Sequence, residues 1–175
     1  MPFNLPEVML FLRVTARISA MFLASAFAAS ALRQLWPSPT TLWIAANRHR
    51  FTMLFALSHT LHLAGVAVLI SLVPERFSTM AALPTFIFGG LGYALIYYAA
   101  VAAFSRRRNP ELRDSKMQTA ILYILWTVFA VAFVLGIRNH AWIYAPLLAV
   151  MLLAWIARLY AKRVSATVAT AGVTA

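Results

Sequence analysis

Two histidines, His59 and His62, stand inside the oily stretch FALSHTLHLAG, residues 55–65. An imidazole surrounded by aliphatic residues has three uses. It can donate to a carbonyl or hydroxyl on a neighbouring helix, it can ligate a metal, or it can carry protons or contact a quinone. On a helix, a spacing of three puts both rings on one face. Two ligands on opposite sides of one metal-centred ring cannot come from one face, so this pair cannot supply both axial positions of a single haem iron. Ser58 and Thr60 lie beside them as companions for a hydrogen-bonded arrangement.

The surroundings decide how costly such groups are. Hydrophobic residues make up 63% of the 175-residue chain and charged residues 11%, with a mean hydropathy of +0.81. A soluble domain carries about 25% charged residues. Most of this chain must therefore face something other than water. The net charge of +11 raises the question of nucleic acid, but the cations sit in short clusters between apolar runs, a pattern of membrane topology. No cysteine is present, which excludes disulfides and thiolate metal sites.

The apolar runs predict an all-α, polytopic membrane bundle of about five transmembrane helices, at 10–32, 51–73, 83–104, 118–137 and 141–160. They form one domain over 1–163, and the small, polar residues 164–175 are expected to be a disordered tail. Between Arg17 and Arg33 the first run spans about 22 Å of helix, so both arginines are expected to snorkel outward. A cleaved signal is an alternative reading of this first run, because ASAFAAS offers small-residue cleavage sites. Lys and Arg divide eleven to four between the two sides, which predicts the N-terminus outside and the C-terminus in the cytoplasm.

With that frame, His62 falls about 16 Å and His59 about 12 Å beyond Phe51, near the bilayer midplane. His140 opens the last run about 15 Å above His62, and His49 belongs to the basic cluster with Arg48 and Arg50. WPSPTTLW predicts a turn between two tryptophans at headgroup level. Gly89, Gly90 and Gly92 in GGLGYALIYY predict close approach by another helix. Tyr93, Tyr97, Tyr98, Tyr123 and Trp126 suit a bundle core, or a pocket beside a quinone or flat cofactor. The SRRR run suits anchoring to anionic lipid. No carboxylate falls within a predicted span, which argues against proton coupling through Asp or Glu.

The stretch NRHRFTMLFALSHTLHL resembles the second helix of the ferric-reductase-like transmembrane domain family in its short bacterial form. The membrane haem subunit of the periplasmic methionine sulfoxide reductase system shares that pattern. TARISAMFLASAFAASALRQLWP is similar to the family's first helix and LYILWTVF to its fourth, so the likeness covers about residues 13–160. The resemblance implies a bacterial inner (cytoplasmic) membrane location and electron transport as part of an oxidoreductase. It also implies a haem b cofactor, with His62 in the place of the iron-ligating histidine and His59 beside it, and a quinone or a redox partner protein as donor. The chain departs from the pattern at Thr52, where the family has glycine, and at Gln118 and Val131, where it has histidines. A parallel homodimer would bring two copies of His62 to equal depth. The alternative is a non-redox membrane protein (assembly factor, permease component or structural subunit) that keeps the fold.

Overall fold

The computed structural model describes the backbone of residues 4–75, 83–109 and 116–173, and the side chains of these apart from 83–88, 138–140 and 168–173. It is helical, with no strand among the described residues. The helices are α1 (Leu5–Leu35), α2 (Pro39–Ala46), α3 (Arg48–Leu72), α4 (Leu83–Arg108) and α5 (Lys116–Val173).

Local chemistry sets the ends of α1. The Asn4 side chain accepts from the Glu7 N–H at 3.0 Å and the Glu7 carboxylate accepts from the Asn4 N–H at 3.3 Å, a capping box with proline in the first turn. Glu7 is thus a carboxylate within the first helix, used as a cap. The helix stops where Trp36 precedes Pro37, a context that disfavours helical backbone. At 31 residues α1 starts earlier than residue 10, so Arg13 and Arg17 lie within it and do not mark its outer end. WPSPTTLW is more than a turn: Ser38 caps the eight-residue α2, with Pro39 in its first turn.

Polar pairs fix the register of α1 against α3. The Ser19 and Ser58 hydroxyls are 2.8 Å apart, and Thr15 Oγ1 lies 3.1 Å from His62 Nδ1. The two helices run antiparallel, with Arg17 level with about Thr60, the middle of α3. α1 buries Leu23, Ala26, Phe27 and Ala29, all at 0% exposure, and Leu23 and Phe27 join a core that includes Phe55 and Trp126. Its alanines let the backbones approach closely. Of the residues that offered cleavage sites, Ala24, Ala26, Ala28 and Ala29 are buried here.

The last two predicted spans form one helical element that turns back on itself. Trp126 Nε1 donates to the Met151 carbonyl at 3.0 Å, and the Trp126 and Trp155 rings stack with centroids 6.0 Å apart. On a straight helix, residues 25 apart would be separated by about 37 Å. The reversal lies between Gly136 and Tyr144: a Cβ at Gly136 would stand 2.9 Å from Tyr144 Cδ2. The second arm continues as helix to Val173. Gln34 Nε2 ties it to α1 through the Ala161 carbonyl at 3.0 Å and Ser165 Oγ at 2.7 Å. The Ser165 and Thr167 hydroxyls donate to carbonyls four residues back, which keeps them compatible with helix.

Leu5–Leu35, Arg48–Leu72, Lys116–Ile137 and Ala141–Thr167 are each long and apolar enough to cross a bilayer. Their outward surfaces are oily: Leu10 is 61% exposed, Leu135 61% and Leu153 65%. Such continuous apolar surface is stable against lipid, as in an integral membrane protein.

Candidate functional site

α3 carries Phe55, His59 and His62 at spacings of four and three, and the three rings form a row. His59 and His62 stack with centroids 5.2 Å apart and planes 11° off parallel, and Phe55 stacks on His59 at 5.9 Å. Phe129 of α5 and Tyr93 of α4 also pack on His59, with ring centroids at 5.2 and 5.1 Å. Tyr93 also donates from its hydroxyl to the His59 carbonyl at 3.3 Å, and Thr60 pairs with Tyr97 at 3.1 Å. The tyrosines of GGLGYALIYY therefore help to join α4 to α3.

The two histidines differ in how they are satisfied. His62 Nδ1 lies 3.1 Å from the Leu12 carbonyl and 3.1 Å from Thr15 Oγ1. A carbonyl only accepts, so Nδ1 carries the proton. The Thr15 hydroxyl has carbonyl acceptors of its own at Phe11 (2.9 Å) and Leu12 (3.2 Å), which leaves its oxygen to accept from the imidazole. In this tautomer Nε2 of His62 holds the lone pair. His59 Nδ1, in contrast, is buried with no hydrogen-bond partner among the described residues.

Residues at the family's other ligand positions do not converge on this pair. Gln118 shares a cavity wall with Arg48 and Thr52 at the start of α3. His62 is ten residues beyond Thr52, about 15 Å further along the helix. Val131 is 52% exposed and points away from the core that its neighbours Phe129 and Ala130 enter. His49 lines the same cavity as Gln118, and the side chain of His140 is outside the described residues. Tyr123 and Trp126 pack on Phe27 within the core. Among the described residues, no group of three or more His, Cys, Asp or Glu is placed to hold a metal ion. Were a haem to bind, His62 Nε2 is the nitrogen these contacts leave with a lone pair, and among the described residues no nitrogen from a second helix stands beside it.

Sequence reading missed Thr15 and Ser19, the α1 residues that meet His62 and Ser58. Their spacing of four, one polar stripe on an alanine-rich helix, was the available signal. Neither a protein-family model, nor a curated protein, nor a solved structure matches this chain.

Proposed function

We propose that the chain is the membrane component of an electron-transfer system in a bacterial cytoplasmic membrane, with His62 as an axial ligand of a b-type haem. The observation that supports this reading is the 3.1 Å approach of His62 Nδ1 to the Leu12 carbonyl. Ligating histidines characteristically donate their other ring N–H to a carbonyl, which orients the ring and raises its basicity. Here Leu12 accepts that proton and Nε2 keeps the lone pair. When bound, a haem would supply one-electron chemistry. The chain's own part is to hold the imidazole and keep it neutral and oriented in a low-dielectric bundle. Any second ligand would come from a second copy of the chain, from a redox partner protein, or not at all. In this proposal α4, 26 residues long, is the fifth crossing. The cytoplasm faces the end at which α1 and α4 finish, where Arg33, Arg48, Arg50, Arg106 and Arg107 gather. A quinone or flavoprotein donor would approach there.

One observation favours the second reading, a non-redox bundle. His62 Nδ1, Ser58, Thr60 and Tyr93 all take part in interhelical hydrogen bonds, Trp126 joins the two arms of α5, and among the described residues no nitrogen from a second helix meets His62.

The visible spectrum of the protein purified in mild detergent separates the two. His62→Asn is the informative variant, because its amide can replace the Nδ1–H donor but not the Nε2 lone pair. Electron transfer through haem predicts a Soret band in the parent that His62→Asn loses while its helicity and melting temperature stay near the parent's. If the parent shows no Soret band even after haem supplementation, the redox reading fails and the hydrogen-bonding role stands.

A further inference from the structure

α1 carries Arg13 and Arg17 inside a span long and apolar enough to cross a bilayer. The pairing of Ser19 with Ser58 and of Thr15 with His62 sets Arg17 level with about Thr60, the midpoint of α3. From that level the end of α3 at Leu72 is about 18 Å away. A guanidinium there is more than a side-chain length from either headgroup region, so snorkelling does not bring it to water. Arg13, one turn nearer the start of α1, is exposed and closer to the surface. An arginine at the depth of Arg17 calls for a partner. Its Nε is buried and has no hydrogen-bond partner among the described residues.

The chain's own carboxylates are placed elsewhere. The sequence holds four, and Glu7 is committed to the capping box with Asn4. Glu75 lies beyond the end of α3, about 22 Å of helix past the level of Arg17. Glu111 and Asp114 fall outside the described residues, and the chain tethers them within three residues of Arg108 and Lys116, where α4 finishes and α5 begins. That end is remote from Arg17. Tyr123, seven residues into α5, packs on Phe27, ten residues along α1 from Arg17. About 25 Å of helix therefore separates Lys116 from Arg17, well beyond a three-residue tether.

The face of α1 that carries Arg17 continues as the wall of a groove. At helical spacing Arg17 is followed by Met21, Ala24, Ala28 and Leu35, and these four line a space of about 500 Å³ against the second arm of α5. Ala154 and Ala157 stand on the facing wall. Ser25, whose hydroxyl donates to the Met21 carbonyl of its own helix, adds another small side chain. Small residues on both walls let a third backbone approach closely. Trp36 and Tyr160, both 58% exposed, stand at the far end, where aromatic residues mark the headgroup level.

We propose that this groove docks a transmembrane helix of a partner protein that carries a carboxylate at the depth of Arg17. Charge complementarity selects the occupant. A lipid tail fills an apolar groove but leaves the guanidinium unmet, and a second copy of this chain brings no carboxylate to that depth. An acidic side chain beside Arg17 gives both groups charge-assisted hydrogen bonds where water is scarce. His62 is not part of the groove wall, so the proposal is independent of the haem reading.

The test places the full chain in phosphatidylcholine liposomes with designed single-span peptides of leucine and alanine. One peptide carries a central aspartate and the control a leucine there, and association is read by energy transfer between labelled partners. The aspartate peptide is expected to associate about tenfold more tightly than the control, the size of one interhelical polar contact in model peptides. Arg17→Gln should remove most of that difference, and Arg17→Lys should restore part of it. Ser25→Leu fills the groove from a partly exposed position and should weaken association with the charge intact, which keeps the test open if Arg17→Gln misfolds. Equal association of the two peptides, or an unchanged difference in the folded variants, overturns the proposal. So does energy transfer between two copies of the parent that Ser25→Leu abolishes, the mark of a self-association face. A lipid seen by native mass spectrometry that the aspartate peptide fails to displace and Ser25→Leu expels overturns it as well, and makes the groove a lipid site.

Discussion

Replacing Thr15 by valine isolates one of the two contacts that hold the His62 imidazole. The variant keeps the shape and removes the hydroxyl, while the Leu12 carbonyl still accepts the Nδ1 proton. Hydrogen bonds between membrane helices average about 0.6 kcal/mol, so Thr15→Val is expected to destabilise by roughly that amount in a mixed-micelle unfolding titration. His59 should respond in the opposite direction. Its Nδ1 is buried without a partner among the described residues, and a buried polar atom left unpaired carries a desolvation cost of about 1–3 kcal/mol. His59→Phe removes that atom and keeps a ring against Phe55, Phe129 and Tyr93. A melting temperature equal to or above the parent's is expected. A clear drop would mean that the ring nitrogen is engaged in a contact of its own.

Glycine positions separate what the helices need from what they tolerate. A Cβ at Gly65 would stand 2.8 Å from Phe11 Cδ1 and 2.9 Å from Leu12 Cδ2, so α1 could not keep its distance there without side-chain movement. At Gly89, Gly90 and Gly92 nothing lies within 4 Å of such an atom. The sequence pattern of these three glycines predicts a close-packing face, and among the described residues nothing packs on it. Gly65→Ala is therefore expected to lower thermal stability. Gly92→Ala should leave it unchanged or raise it by up to about 1 kcal/mol, the helix-propensity gain, as read by circular dichroism melts of the two variants side by side. The contrast shows which features a sequence can carry. Apolar runs, the proline-marked end of α1 and the polar character of His59 and His62 are local, and each is visible in the sequence. That Gly65 rather than Gly92 meets a neighbour, and that Thr15 meets His62, depends on the register between helices. That register is decided by packing across 47 residues of chain. The fate of residues 164–167 has the same origin, since Gln34 on α1 helps to anchor the last arm through Ser165.

Across the whole molecule, charge and packing divide the bundle into two ends. One end gathers Arg33, Arg48, Arg106, Arg107 and their cavity, and also Arg158, whose guanidinium lies 4.6 Å from the Phe27 ring centroid and 4.9 Å from that of Tyr123. Arg158 thus helps to pin the second arm of α5 to α1 and to the first arm. Arg158→Ala is expected to cost about 1–2 kcal/mol of stability, from two partly desolvated cation–π contacts. Arg158→Lys should recover part of it, and a detergent-resistance melt of the two variants would check the order. The Leu12–Thr15–His62 contact also has a consequence for how the chain is made. The acceptors on α1 leave the ribosome before their donor on α3, so the first helix is already in the lipid when the imidazole arrives with a proton to place. A chain in which α3 is presented to the translocon without α1 ahead of it is expected to integrate less efficiently, as scored by protease protection. Restoring α1 should rescue integration, and the rescue should be smaller with Thr15→Val. The membrane protein would then be assembled in the order in which its hydrogen bonds can be closed.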